Sequence, residues 1–410
     1  METEPLAVTV AGPISAPSLG RILPHESLLY DHTARASPPA TLEEVELRDA
    51  PIALHQLSKL RQHHLCALAN LRPDPAAVEA ELHALRAALG ATPCCVCDCA
   101  AAGRDPRALR ELSRRTGVHI VMAASCASAS ALDDDELVDH LVSELLEGIA
   151  ADDGSRIRAG LIELELAAAD SGRLLRAAAA AHVRSGAPIF CVLGPEANAG
   201  ADAAAHQLIA AGARPSAIVV CRAQLLLDAP DELRALLRRG VTLCFGGAGT
   251  GWCVAGATAA TDKWAEPPTD GQLARGMAAL VAEGWGEQLL LTAGVESALQ
   301  LQANGGGGLG HHLLASFLPR LALDPGSVAK LTSTNAQRLL AWWRPAAAGP
   351  RQTTLWTCAV CKRTFEEALH PKEALDTDQH YYEKFDRRYC GMDCLGAHRR
   401  AGFRPDFVLS

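Results

Sequence analysis

Long apolar runs are missing from this chain. No stretch reaches the roughly 18 uninterrupted apolar residues that a membrane-spanning helix requires, and the longest runs, such as residues 177–181, are short and rich in alanine. The opening segment METEPLAVTVAGPI has no basic region followed by an apolar run, so we expect no signal peptide. These two absences predict a protein without a membrane span and favour a cytoplasmic location.

Positive net charge is missing too. The chain has 38 Lys and Arg against 47 Asp and Glu, which gives a formal net charge of −9. A nucleic-acid-binding barrel needs clustered Lys and Arg for its phosphate contacts, so this balance argues against nucleic acid as a partner. Aromatic residues are scarce at 4%, whereas hydrophobic residues reach 49%. This composition is typical of a soluble globular protein with a bias toward alanine.

Cysteine, by contrast, is abundant, with 14 residues in a chain of 410. Disulfide scaffolds are small and secreted, so a chain of this length without a signal indicates a reducing compartment. On an extended strand, Cys95, Cys97 and Cys99 share one face and Cys94 lies on the other, which is a poor geometry for chelating a metal. Because cysteine is also a small, easily buried hydrophobe, we expect this cluster to pack in a core.

Short apolar segments alternate with longer amphipathic ones between residues 12 and 343. This alternation of strand and helix predicts a parallel sheet, and eight repeats predict an α/β fold of the (β/α)8 TIM barrel type. The predicted strands are residues 21–24, 94–99, 118–124, 160–166, 188–193, 217–221, 241–245 and 288–292.

The pattern stops between Trp343 and Trp356, where Pro and Gly are frequent. We therefore predict an N-terminal tail at residues 1–11, the barrel at residues 12–343, a linker at residues 344–356 and a small zinc-binding domain at residues 357–410.

Four cysteines beyond the linker have the spacing of metal ligands. Cys358 and Cys361 form one pair, and Cys390 and Cys394 form a second pair, so four thiolates can surround one tetrahedral Zn²⁺. His398 is an alternate ligand in place of Cys394, since the two positions share a helix face. The segment resembles a treble-clef or FCS-like zinc finger. Acidic residues dilute its basic ones, so we expect a protein partner here and not nucleic acid.

Several segments of the barrel region, taken in order, resemble the phosphotriesterase-related branch of the amidohydrolase superfamily. The resemblance implies a barrel that binds two metal ions, activates a bridging water and often pairs as a homodimer. The segments are GPI at residues 12–14, LGRILPHE at 19–26, GRDP at 103–106, AGLI at 159–162, GAPI at 186–189, HLL at 312–314 and NAQRL at 335–339.

The resemblance also implies ligands at six places, and this chain departs from most of them. His25 matches the first histidine of strand 1, and Glu163 stands near the bridging position of strand 4, with Glu165 on the same face. Serine is a poor ligand beside imidazole, and an arginine would repel a dication. We therefore expect the binuclear chemistry to be lost. Ser27 stands in place of the second histidine of strand 1, and Val192 in place of the histidine of strand 5. Arg222 stands in place of the histidine of strand 6, and Gly294 in place of the aspartate of strand 8.

The sequence leaves alternatives open at this site. His25 and Glu163 are the catalytic candidates. His25 and Glu26, with Asp31 and His32, form a mononuclear site or an acid–base pair, or else His25 and Glu26 are relics at the barrel mouth. Arg222 either attracts a small anionic ligand or forms a buried pair with Glu163. His312 is a further pocket candidate.

Two functions follow from these alternatives. The first is a degenerate barrel that acts as a binding or scaffold module, with the zinc finger making protein contacts. The second is an active metal-dependent hydrolase of ester, lactone or phosphotriester bonds, through a metal centre rebuilt from His25, Glu163 and His312.

Overall fold

The protein divides into two compact units, Met1–Arg344 and Pro345–Ser410. The computed structural model describes residues 4–100, 102–126, 129, 131–166, 171–194, 200–249 and 268–344 of the first unit. In the second unit it describes residues 353–358, 360, 362, 364–368, 382–384, 387–389, 392–402 and 404.

Eight parallel strands of the first unit follow one another in chain order across a single sheet, as a (β/α)8 barrel requires. Each overlaps one predicted strand, so the predicted fold class is confirmed. The sheet comprises β3 (Arg21–Glu26), β4 (Cys94–Asp98), β5 (His119–Ser125), β8 (Leu161–Leu166), β9 (Ile189–Leu193), β10 (Ile218–Cys221), β11 (Thr242–Phe245) and β12 (Leu289–Leu291).

Alternating side chains of these strands enter two different cores. In β4, Cys95 and Cys97 join the core inside the barrel, whereas Cys94 and Val96 join the core between the sheet and its helices. This is the period of two that a strand imposes. The prediction that the cysteine cluster packs in a core is confirmed.

Helices cover the outside of the sheet, and their ends follow the expected signals. In α5 (Pro106–Thr116), the Asp105 side chain accepts hydrogen bonds from the first turn, and Gly117 ends the helix with a φ of 68°. Among the described helices, none combines the length and the apolar character that a membrane crossing needs. The others in this unit are α1 (Leu42–Arg48), α2 (Leu57–Gln62), α3 (Leu68–Leu71), α4 (Pro75–Leu89), α6 (Asp134–Leu146), α7 (Ser171–Ser185), α8 (Ala201–Ala210), α9 (Pro230–Arg238), α10 (Asp270–Ala282), α11 (Leu318–Arg320), α12 (Pro325–Ala329) and α13 (Asn335–Leu340).

The first element among the described residues is a hairpin within residues 6–15, so residues 6–9 form a strand inside the stretch that we expected to be a tail at residues 1–11. Strand β1 (Leu6–Thr9) pairs with β2 (Gly12–Ser15) in antiparallel register, and Val8 is buried. Leu6 also exchanges backbone hydrogen bonds of 2.8 and 3.1 Å with Trp343. The two ends of the barrel sequence are therefore tied together. A second short hairpin joins β6 (Ile149–Ala150) to β7 (Arg156–Ile157).

The described part of the second unit consists of two antiparallel hairpins and a helix. The first hairpin begins at Thr353, so residues 353–356 belong to a strand and not to the linker that we predicted there. The elements are β13 (Thr353–Thr357) paired with β14 (Thr364–Ala368), β15 (Tyr382–Lys384) paired with β16 (Arg387–Tyr389), and α14 (Met392–Arg400).

Candidate functional site

Charged side chains gather at the end of the barrel where the strands finish, which is where barrels of this type place their sites. His25 lies near the end of β3, and Glu163 and Glu165 are the third and fifth of the six residues of β8. Arg222 immediately follows β10, and Glu296 lies in the segment after β12.

Arg222 and Glu296 form a two-pronged ion pair across this mouth. Arg222 Nε donates to Glu296 Oε1 at 2.8 Å, and Nη2 donates to Oε2 at 2.6 Å. Its remaining nitrogen, Nη1, donates to the Leu193 carbonyl at 2.9 Å. Both side chains are only 18% exposed. All three nitrogens of the guanidinium therefore have an acceptor, and both carboxylate oxygens of Glu296 have a donor.

The surroundings of this pair favour its charged form. Burial alone would raise the pKa of Glu296, but the Arg222 guanidinium outweighs that effect and lowers it. Burial likewise opposes the charge of Arg222, and Glu296 more than compensates, so the pKa of Arg222 is raised. The backbone of Arg222 has a φ of 58°, a left-handed conformation that is uncommon for a residue other than glycine. Arg222 therefore combines an energetically unfavourable backbone conformation with the ion pair to Glu296.

His25 lies against the same carboxylate. Its Nδ1 is 3.7 Å from Glu296 Oε1, and the residue is 4% exposed. Burial lowers the pKa of His25 to about 4, assisted by Arg222 and opposed by Glu296. The imidazole is therefore neutral at pH 7. Its buried Nε2 has no hydrogen-bond partner among the described residues.

Glu26 is the residue that joins the first strand of the barrel to the last. Its Oε1 accepts hydrogen bonds from Thr292 Oγ1 at 2.5 Å, from the Ala293 amide at 2.9 Å and from the Gly294 amide at 3.1 Å. Its Oε2 accepts from the Val295 amide at 2.5 Å. Both oxygens of the carboxylate are therefore hydrogen-bonded to the segment that leads to Glu296. They are not available to bind a metal ion in a mononuclear site.

Glu163 does not pair with Arg222, so that expectation is wrong. Its Oε2 instead accepts a hydrogen bond of 2.7 Å from Ser125 Oγ, and the residue is 2% exposed. Burial raises the pKa of Glu163 to about 7, and the hydrogen bond from Ser125 opposes the shift. Glu165 has a partner of its own, because Arg35 Nη2 lies 3.1 Å from its Oε2. Arg222 instead binds both oxygens of Glu296 with its guanidinium fork.

Two further carboxyl groups, those of Asp270 and Asp98, have partners outside the predicted set of site residues or are bound by backbone. His312 pairs with Asp270 through a contact of 2.6 Å, and none of the described hydrogen bonds or ion pairs joins His312 to His25 or Glu163. Asp98, at the end of β4, is fully buried and accepts a hydrogen bond of 2.7 Å from the Leu28 amide. Burial raises the pKa of Asp98 to about 7.

Two of the four predicted zinc ligands lie within the described residues. Cys358 is fully buried, and Cys394 is 9% exposed and lies in the first turn of α14. Cys361 and Cys390 lie outside the described residues. His398 Nε2 faces the Arg404 carbonyl at 2.6 Å. Since a carbonyl only accepts, this nitrogen carries a proton and is not a metal ligand in this arrangement.

Comparison with known families identifies both units. A model of the "Phosphotriesterase family" matches residues 6–338, most of the first unit. The chain belongs to the phosphotriesterase family. The second unit carries a treble clef, since the "Vms1-associating treble clef domain" matches residues 353–406.

Individual phosphotriesterase-family relatives are similar over nearly their whole length. The N-acetyltaurine hydrolase of Salmo salar is 27% identical over 81% of this chain and 97% of that protein. The N-acetyltaurine hydrolase of Rattus norvegicus is 29% identical over 77% of this chain and 91% of that protein. A crystal structure of a resiniferatoxin-binding protein from Rhodobacter sphaeroides has a TM-score of 0.72 and 29% identity, and it covers 82% of this chain and 94% of that one.

The positions where the phosphotriesterase family would place metal ligands are filled by packing and backbone. Val192 is buried in the inner core. The Ser27 amide donates to the Val295 carbonyl at 2.7 Å, and the Gly294 amide binds Glu26. None of these three side chains offers a nitrogen donor or a carboxylate.

A binuclear metal centre does not fit these residues. The Nε2 of His25, which has no partner among the described residues, is a suitable ligand atom. Arg222, however, puts a fixed positive charge at a position that the resemblance assigns to a ligand, and it already engages both oxygens of Glu296. In the part of the chain that the structure describes, no group of three His, Cys, Asp or Glu side chains is arranged to hold a metal ion. A catalytic zinc retains three protein ligands.

Sequence reasoning missed Glu296 and Arg35 as members of this site. The signal for Glu296 was present, since a glutamate stands two residues after the Gly294 position. It would have been found by asking which carboxylate balances a buried arginine.

We expect Arg222→Ala to destabilise the protein by about 2–3 kcal/mol, because it leaves the largely buried Glu296 carboxylate without its cation. Arg234→Ala is the matched control. Arg234 makes the same two-pronged contact with Glu283 but is about one third exposed, so its loss should shift the unfolding midpoint much less. Urea unfolding measures both. Equal midpoints for Arg222→Ala and the wild type would contradict the importance of the pair.

Glu163 should make stability depend on pH. Its pKa is about 7 in the folded protein against an ordinary value of 4.5, so between these values the folded state binds more protons than the unfolded state. Stability from this group therefore falls as the pH rises from about 4.5 to 7. Glu163→Gln keeps an acceptor for Ser125 and removes the titration. We expect the free energy of unfolding of the variant, relative to that of the wild type, to increase by up to about 3 kcal/mol from pH 5 to pH 8.

Chemical denaturation across that pH range measures this difference. Glu111→Gln, at an exposed position of α5, is the control and should show no such trend. A difference between Glu163→Gln and the wild type that is the same at pH 5 and pH 8 would rule out the titration.

Proposed function

We propose that the barrel is a binding module that works without the binuclear metal centre of its family and holds a small ligand at its mouth. The observation that carries this proposal is the Arg222–Glu296 pair. Arg222 stands where the resemblance places a metal-binding histidine, and it binds both oxygens of Glu296, the carboxylate in the loop after β12. The resiniferatoxin-binding protein supports it, because a protein with this barrel bears the name of a molecule that it binds.

The charge at the mouth limits what this ligand is. Arg222 is neutralised by Glu296, and Arg35 is paired with Glu165. A small anionic ligand, which the sequence suggested, would therefore bind Arg222 only by displacing Glu296. The Nε2 of His25 has no partner among the described residues and is able to accept a hydrogen bond when the ring proton is on Nδ1, facing Glu296. A ligand with an N–H or O–H group therefore suits the site.

A second candidate function is hydrolysis, and the printed name of the relatives favours it. Those proteins are N-acetyltaurine hydrolases, so the bond in question would be an amide and not the ester that we first expected. Glu163 is the group suited to this chemistry, since a pKa of about 7 lets a carboxyl both take up and release a proton near neutral pH. His25 would accept a hydrogen bond from the substrate or from water.

We further propose that the treble clef binds one structural Zn²⁺ through Cys358, Cys361, Cys390 and Cys394 and makes contact with a protein partner. Cys358 and Cys394 are both buried, as ligands of a structural metal are. A small domain with few aliphatic residues also needs such a metal for its stability.

Metal analysis of the purified full-length protein should find one zinc per chain. The zinc should be lost in the Cys358→Ser/Cys361→Ser variant and kept in His25→Ala, because the proposed ligands are the four thiolates of the treble clef. Mass spectrometry of the metal content checks this. Two or more metals per chain, one of them surviving the cysteine substitutions and removed by His25→Ala, would contradict the proposal and favour a rebuilt metal centre.

An assay with N-acetyltaurine separates the two functions. The binding module should release no taurine above background. Turnover that persists in the Cys358→Ser/Cys361→Ser variant but falls at least about 100-fold in Glu163→Gln would establish the second candidate in its place, since general acid–base groups contribute on that order.

A further inference from the structure

A cavity of about 220 Å³ lies at the opposite end of the barrel, where the strands begin. Gly186 and Ala217 line it just before β9 and β10, and Trp342 lines it from the segment after α13. It shares no lining residue with the site of His25, Arg222 and Glu163. The cavity is therefore a site distinct from the one at the barrel mouth.

Three arginines line this cavity, and no described lining residue is acidic. They are Arg214, Arg338 and Arg344. A concentration of guanidinium groups is unusual in a chain whose formal net charge is −9. The cavity is therefore electropositive against an acidic background, which favours anions.

Arg214 is held in place by a buried histidine. His182 Nδ1 donates to the Ala187 carbonyl at 2.7 Å, so its Nε2 is left as an acceptor. That Nε2 accepts from the Arg214 amide at 3.3 Å and from Arg214 Nε at 3.4 Å. Burial lowers the pKa of His182, and Arg214 lowers it further, which keeps the ring neutral and able to accept.

The rest of the Arg214 guanidinium remains available. Nη2 donates to the Gly186 carbonyl at 3.3 Å, and among the described residues Nη1 has no partner and no carboxylate pairs with Arg214. Its orientation is thus fixed by neutral groups while its charge is left uncompensated. A preorganised guanidinium loses little freedom when it binds an anion.

Arg338 adds charge that is only half balanced. It donates to Glu287 Oε2 at 3.2 Å, but Lys330 lies 2.6 Å from the other oxygen of the same carboxylate. One carboxylate is therefore shared between two cations. A surplus of positive charge remains beside Arg214.

The geometry points to a binding site for a phosphate group on a small molecule in this cavity. Guanidinium forks match phosphate oxygens in pairs, and a phosphate carries about −1.5 to −2 charges at pH 7, which suits two or more arginines better than a carboxylate does. The volume is below the roughly 300 Å³ at which pockets for drug-sized ligands begin. The ligand is therefore a phosphate with a small organic substituent.

Calorimetric titration of the full-length protein with inorganic phosphate, at constant ionic strength, tests this. We expect saturable binding that is at least about tenfold tighter than the binding of acetate. Ser216→Glu should weaken phosphate binding by about tenfold or more, because Ser216 is an exposed lining residue and the new carboxylate would compete for Arg214. Arg214→Ala should weaken it comparably.

Ser58→Glu is the matched control, since Ser58 is exposed on α2 and does not line the cavity. It adds the same charge and should leave phosphate binding unchanged. Melting temperatures show whether each variant is folded, and Ser216→Glu keeps every contact of Arg214. The same affinity in Ser216→Glu and Ser58→Glu, or no saturation by about 10 mM phosphate, would overturn the assignment.

Discussion

The ion pair between Arg222 and Glu296 is the interaction on which the mouth of this barrel depends. A positive charge that is largely removed from water needs a partner, and here the partner binds it with both oxygens. The pair also fixes the chemistry of its neighbours. It engages the carboxylate that lies 3.7 Å from His25 Nδ1, and burial keeps that imidazole neutral although Glu296 favours its charged form. We propose that this ion pair stands where the resemblance would place a metal ion.

Glu26 supports this arrangement from the neighbouring strand, β3. Its carboxylate accepts four hydrogen bonds from residues 292–295, so it ties the end of β12 to β3 and sets the position of the next residue, Glu296. Burial nonetheless raises the pKa of Glu26 to about 7. The closure of the barrel and the geometry of its mouth therefore rest on the same buried carboxyl group.

The barrel was predictable from sequence because each apolar segment is short and bounded by helix signals such as Asp105 and Gly117. The resemblance located His25, Glu163 and Arg222, and the structure places them at one end of the barrel. It did not supply the partner of Arg222, because that choice depends on the path of the loop after β12 and on a left-handed backbone at Arg222. The N-terminal hairpin was missed since four residues per strand are too few to show a period.

Anomalous diffraction at the zinc edge, from crystals of the full-length protein grown with excess Zn²⁺, tests the central claim most directly. The account predicts one peak, among the cysteines of the treble clef, and continuous density between Arg222 and Glu296. Two peaks about 3.5–4 Å apart beside His25 and Glu163, with Arg222 turned away from Glu296, would contradict it.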